Sequence, residues 1–162
     1  ACRTCVLRRD CRAFREKLTD ALPVVHRAAA IPHHTIAAGI VWKAGRVLIA
    51  RRREDQMLGG LWEFPGGKQH PGEPLRATAR REVLEETGLR VRVGEPCLTV
   101  RHAYSHFRIT LTVFHCKWIS GRPIPRASAE LKWIAPGALK DYPFPRANRR
   151  VCDLLAREGR GH

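Results

Sequence analysis

Glu85 and Glu86 follow Glu82 by three and four residues within Gly66–Leu89, GGKQHPGEPLRATARREVLEETGL. On a helix that spacing gathers three carboxylates on about one turn of surface. Gly66, Gly67 and the run His70-Pro71-Gly72-Glu73 mark a loop, and Leu75, Ala79, Val83 and Thr87 recur at helical spacing as a core stripe. Pro74 suits a first helical position and Gly88 the residue just past a helix end, so one helix is expected over about 74–87. The acids overlap the edge of the core stripe and fall in the C-terminal half of the helix. There the backbone dipole disfavours each negative charge by a few tenths to about 1 kcal/mol. Arg81 can offset one of them. A hard divalent cation, Mg²⁺ or Mn²⁺, would answer the remainder, because such ions take carboxylate and carbonyl oxygens. A solvated acidic helix face is the plainer alternative. A cation held there would lower the pKa of a bound water, and a nearby carboxylate could take its proton.

The elements that must position this helix are legible on either side of it. Residues 35–43 (TIAAGIVWK) and 46–52 (RVLIARR) are strand-like and separated by Ala44-Gly45. Trp62-Glu63-Phe64-Pro65 leads into the glycine loop. After the helix, residues 90–101 are extended, residues 107–118 alternate as a strand, and residues 130–134 form a short one. A C-terminal helix is expected from about Phe144, with Pro145 near its start, to about Arg157. The order strand, strand, helix, strands, helix implies a mixed sheet between helices, an α/β/α sandwich.

The chain has 162 residues and a net charge of +15, which suits one domain with a tail and implies anionic partners such as nucleotides or nucleic acid. No apolar run approaches the roughly 20 residues needed to cross a bilayer, so no membrane partner is expected, and a cytoplasmic location is the default. Residues 1–30 differ from the rest. Cys2, Cys5 and Cys11 lie in a basic run, ACRTCVLRRDCRAF, and lead into a linker from Lys17 to Ala30. Thiolates this close suggest an iron–sulfur or zinc site, although only three ligands are present. Three free thiols are the alternative. The folded domain is then residues 31–162, with Cys97, Cys116 and Cys152 as small buried hydrophobes.

The spacing Gly67, Glu73, Arg81-Glu82-Val83, Glu85-Glu86, Gly88-Leu89 resembles the signature of the Nudix hydrolases, with every fixed position filled. Arg51-Arg52, Phe64-Pro65-Gly66-Gly67 and Phe144-Pro145-Arg146-Ala147-Asn148 extend the likeness to MutT-type enzymes, which split 8-oxo-dGTP into the monophosphate and pyrophosphate. The resemblance implies that the Gly66 carbonyl with Glu82, Glu85 and Glu86 holds Mg²⁺ and that Arg81 orients a glutamate. Glu82 or Glu86 would be the general base, with Glu130 a candidate outside the signature. Arg52 would face the phosphates or the base pocket, Phe64 would wall the base, and Asn148 would hydrogen-bond the oxidised purine. Asn also favours helix N-caps, which is the alternative for Asn148.

A second resemblance covers more of the chain. The three cysteines, Ile31-Pro32-His33-His34, GLWEFPGGK and His102-Ala103-Tyr104-Ser105-His106-Phe107 look like the C-terminal part of MutY-type adenine DNA glycosylases. That resemblance implies that Cys2, Cys5 and Cys11 are part of a [4Fe–4S] ligand set whose other cysteine lies upstream of Ala1. It also implies that Tyr104, Ser105 and His106 contact DNA carrying 8-oxoguanine opposite adenine. The glycosylase's own catalytic residues would belong to a preceding domain.

Overall fold

The computed structural model describes residues 2–22 and 31–158. The chain divides into two compact units, residues 1–30 and 31–162. In the first, a single 3₁₀ turn (Cys2–Thr4) precedes a four-residue helix, α1 (Arg12–Arg15). None of residues 2–22 is buried, and the Arg8 guanidinium lies over the Phe14 ring at 4.5 Å. Cys2 and Cys5 are exposed free thiols and Cys11 is half-exposed. The second half of the expected linker lies outside the described residues.

Among the described residues the second unit holds seven strands: β1 (His33–Lys43), β2 (Arg46–Arg51), β3 (Trp62–Glu63), β4 (Gly66–Lys68), β5 (Arg90–Ala103), β6 (Arg108–Ser120) and β7 (Glu130–Ile134). They make one mixed sheet in the order β3-β2-β1-β6-β5, with β4 paired to β1 and β7 to β2. β1 runs parallel to β6 over ten residue pairs, and the other ladders are antiparallel. Among the described residues, no helix is long and apolar enough to cross a membrane.

Strand alternation divides the apolar residues between two faces. Ala38 and Ile40 of β1, Val47 and Ile49 of β2, and Ile109, Leu111 and Val113 of β6 pack with Phe144, Ala147, Val151 and Leu155 of the C-terminal segment. Ala37, Val41, Leu48, Phe114 and Cys116 point the other way, onto Ala79 and Val83. Those two clusters belong to α3 (Arg146–Glu158) and α2 (Leu75–Thr87), so the sheet lies between helices as the element order implies.

α2 begins one residue later than its proline suggested. Pro74 is extended (φ −64°, ψ 140°) and its carbonyl accepts the Thr78 N–H at 3.0 Å, which makes it the N-cap rather than the first helical residue. Gly88 ends the helix at φ 72°, a conformation suited to glycine, and its N–H bonds the Leu84 carbonyl at 2.9 Å. Asn148 lies inside the first turn of α3, its N–H bonding the Pro145 carbonyl at 2.9 Å, so its side chain is not an N-cap.

Candidate active site

Arg81 organises the acids of α2. Its Nε and one terminal nitrogen grip both oxygens of Glu73 at 2.9 Å each, a bidentate pairing. The other terminal nitrogen donates to Glu82 at 2.8 Å and to Glu85 at 3.1 Å, and the first also reaches the Lys68 carbonyl at 3.1 Å. One cation therefore serves three carboxylates, where the sequence suggested one. Thr78 Oγ1 and the His70 N–H complete the seat of Glu73 at 2.9 and 3.2 Å. The Arg81 hydrogen bonds, above all, hold Glu73 down to about 2, well below the ordinary carboxylate range.

Glu86 receives no such cation. The Gly66 N–H donates to it at 3.0 Å. Burial pushes its carboxyl up to about 8, and repulsion from Glu63 and Glu82 adds to the rise, against the Gly66 hydrogen bond and Arg52. Glu63 is raised as well: burial outweighs its 2.7 Å ion pair with Arg52. Three carboxylates, Glu63, Glu82 and Glu86, thus crowd a half-buried spot in which Arg52 pairs with Glu63 and Arg81 with Glu82, while Glu86 has no ion pair among the described residues. That oxygen-rich donor set suits a hard divalent cation. Among the described residues no three acidic, histidine or cysteine side chains already stand as a ligand set. Glu82 and Glu85 are held by Arg81 instead, and they would have to turn from it to reach a shared ion.

The glycines of β4 make this approach possible. β4 pairs with β1 through Ala38–Gly66 and Ala37–Gly67. A Cβ on Gly67 would land in the Glu82 carboxylate, and one on Gly66 would meet the Ala37 carbonyl and the Ala38 Cα at 2.5 Å.

On the α3 side of the sheet a cleft of about 330 Å³ opens beside the same strand. It gathers Arg52, Phe64, Gly66, Tyr104 and Asn148, five residues singled out from sequence. Phe64 stacks on Phe144 (centroids 5.5 Å apart, planes at 24°) and Tyr104 on Phe107 (4.7 Å, 29°), which fixes two aromatic walls. Arg52 is oriented by the Met57 carbonyl at 2.7 Å and by Glu63. Burial raises the Tyr104 phenol. Ser105 and His106 do not line the cleft. They sit exposed in the tight β5–β6 turn closed by the Tyr104 N–H and the Phe107 carbonyl at 2.8 Å. Glu130 pairs with Lys132 at 3.0 Å at the start of β7, opposite Arg51, whereas Glu63 occupies the place beside Glu86.

Two contributors escaped the sequence reading. Glu63 carried a usable signal, since it lies between Trp62 and Phe64, both committed to the α3-side core, and so projects differently from them. Glu73 filled a fixed position of the signature, but eight residues of separation hid its partnership with Arg81.

A family profile described as the NUDIX domain matches residues 37–154. The CTP pyrophosphohydrolase of Escherichia coli is 32% identical over 113 residues, which span 70% of this chain and 84% of the relative. A putative 8-oxo-dGTP diphosphatase 2 of Mycobacterium tuberculosis is 33% identical over 129 residues, 75% of this chain and 87% of the relative. Among solved structures, the MutT protein of Methanosarcina mazei Go1 shares the fold at TM-score 0.72 with 24% identity, covering 81% of this chain and 98% of that one. The E. coli ORF135 protein superposes at TM-score 0.68 with 27% identity, covering 84% and 99%. The matched profile runs from the middle of β1 through the acidic helix and the cleft into α3, and by it the chain belongs to the Nudix hydrolase family.

Proposed function

We propose that the chain is a Mg²⁺- or Mn²⁺-dependent pyrophosphohydrolase that splits 8-oxo-dGTP and related oxidised purine nucleoside triphosphates into the monophosphate and pyrophosphate. The observation that carries this reading is the cleft, which sets Phe64, Arg52, Tyr104 and Asn148 beside the glycine strand that touches Glu82 and Glu86. Its volume, about 330 Å³, falls at the lower end of the ~300–1,000 Å³ typical of ligand pockets.

Phe64, braced by Phe144, walls the base, and Asn148 offers both an acceptor and a donor to the edge of an oxidised purine. Arg52 faces the cleft and offsets negative charge there. A water oxygen bonds to a phosphorus flanking the α–β bridge, the bridging P–O bond breaks, and the two phosphate products leave. Glu86 or Glu82 accepts the water's proton. Arg81, anchored on Glu73, positions Glu82 and Glu85. Glu82, Glu85, Glu86 and the Gly66 carbonyl would hold the cations, which would supply phosphate neutralisation and water activation when bound. The test is pyrophosphate release from 8-oxo-dGTP with Mg²⁺, run beside CTP. No release above that of a Glu86→Gln variant defeats the hydrolase assignment, whereas preference for CTP defeats only the oxidised-purine part.

A second reading makes the chain the 8-oxoguanine-recognition end of a MutY-type adenine glycosylase, with Cys2, Cys5 and Cys11 contributing to a [4Fe–4S] cluster. It is supported by Ser105 and His106, exposed in the turn that carries the cleft residue Tyr104. It requires tighter binding to duplexes with 8-oxoguanine than with guanine opposite adenine, and equal affinities refute it.

A further inference from the structure

Away from the cleft, the sheet carries a row of side chains that the hydrolytic reaction does not use. Trp42 on β1 is the register partner of Lys117 on β6, which in turn pairs with Arg92 on β5. Partners in register leave the same face of a sheet, and three adjacent strands spread this row over roughly 10 Å. His115, two residues before Lys117, shares the face, and its Nδ1 accepts the Trp42 indole N–H at 3.0 Å. The two rings lie 6.1 Å apart, tilted by 39°. Trp42 is half-buried, so its ring is fixed from below, while Lys117 and Arg92 are exposed.

Two shallow hollows meet at this row. One, of about 430 Å³, is lined by Trp42, Lys43, His115, Lys117 and Arg92. The other, of about 490 Å³, lies against α2 and β5 and is lined by Arg76, Arg80 and Arg92 among others. Arg92 belongs to both, so the hollows form one basic track around the β5 edge. Among the described residues no carboxylate lines either hollow, and Arg76 pairs with the exposed Glu95 at 2.6 Å. None of the lining residues is shared with the cleft.

We propose that this track binds single-stranded nucleic acid, with a base stacked on the Trp42–His115 platform and the backbone running over Lys117, Arg92 and Arg80. A fixed aromatic ring flanked by cations is the combination that holds unpaired bases and their phosphates together, since a base in a duplex has no free face to offer. The net charge of +15 favours a polyanion at every approach, while the platform locates it.

The test uses the full chain and a fluorescein-labelled twelve-nucleotide oligo(dT), followed by anisotropy at 50 and 200 mM salt. Binding should weaken steeply with salt. The Lys117→Glu, Arg92→Glu double variant should lose at least tenfold in affinity. Trp42→Leu should lose severalfold at unchanged salt dependence, and Trp42→Phe should retain most binding. Basic residues elsewhere add a salt-sensitive background, which the Trp42 variants leave in place. All variants should melt cooperatively and keep the hydrolytic rate of the parent, because they lie outside the cleft. Wild-type affinity in the double variant overturns the proposal, as does a duplex that binds equally well with the same sensitivity to Trp42→Leu. Absence of oligonucleotide binding by the parent chain also overturns it and leaves the hydrolase assignment untouched.

Discussion

Alanine at Gly66 and alanine at Gly67 should separate stability from catalysis. At Gly66 the added methyl meets the β1 backbone, the Ala37 carbonyl and Ala38 Cα at 2.5 Å, which cannot retreat without disturbing the strand pair. Overpacking of that kind costs about 1–3 kcal/mol. Displacement of the Gly66 N–H from Glu86, whose raised carboxyl is neutral at pH 7 without a cation, loses an ordinary hydrogen bond, about 0.5–1.5 kcal/mol more. The sum, about 1.5–4.5 kcal/mol, lowers the melting temperature of a domain this size by roughly 5–14 °C. At Gly67 the methyl meets the Glu82 carboxylate, the far end of a flexible side chain. Glu82 turns aside and gives up its 2.8 Å bond from Arg81, and Arg81 keeps Glu73 and Glu85. That loss, about 1.5–3 kcal/mol, is partly offset by about 0.4–1 kcal/mol from a stiffer unfolded chain. The net, about 0.5–2.6 kcal/mol, lowers the melting temperature by only about 2–8 °C. Turnover behaves oppositely, since moving one proposed cation ligand by about an ångström costs about a hundredfold. Thermal melts monitored by circular dichroism and a pyrophosphate-release assay read the two quantities. Equal melting losses, or a Gly67→Ala variant with parental turnover, refute the reasoning.

Three further perturbations probe other parts of the site. Glu73 is held down to about 2, so its contribution to stability is complete above about 4.5 and is lost as pH falls through about 2. Glu73→Gln should therefore melt lower at pH 7 and lose less on acidification than the parent, and an unchanged acid slope contradicts this. Glu86 is raised to about 8, so without cation its contribution is full below about 4.5 and is lost as pH rises through about 8. Added Mg²⁺ should accordingly raise the melting temperature more at pH 8.5 than at pH 5.5, and Glu86→Gln should flatten the difference. Asn148→Ala removes a half-exposed side chain, so stability should change by less than about 0.5 kcal/mol. The KM for 8-oxo-dGTP should rise at least tenfold while that for CTP stays nearly constant. An equal rise for both nucleotides would mean that Asn148 does not read the base.

What could be read in advance was local. The helix over 75–87 announces itself because Ala79, Val83 and Thr87 repeat with its period and Gly88 stops it, both set by neighbours in sequence. The alternation in β6 likewise reveals a strand without revealing its partner. The parallel union of β1 with β6, which joins residues some 75 apart, leaves no trace in either segment. The site shows the same division. The glutamates share one helical turn, so their proximity follows from spacing alone. The Glu63–Arg52 pair and the Glu73–Arg81 grip depend on how β3 and the loop before α2 are brought in, and neither contact follows from composition. The aromatic walls were half visible: Phe64 was expected at the base, but its bracing by Phe144 comes from packing across eighty residues.

Arg81 also explains how such a helix tolerates the time before any ion arrives. Because Glu73 clamps the guanidinium from one side, its remaining nitrogen stands in for the missing charge at Glu82 and Glu85. The chain thus carries its own placeholder and needs no ion to complete folding. Since Glu73 keeps the placeholder tethered, an ion bound at the proposed ligands would displace only a single prong of the fork. Emptying and refilling such a site would then amount to a side-chain exchange, with no need to remake the helix.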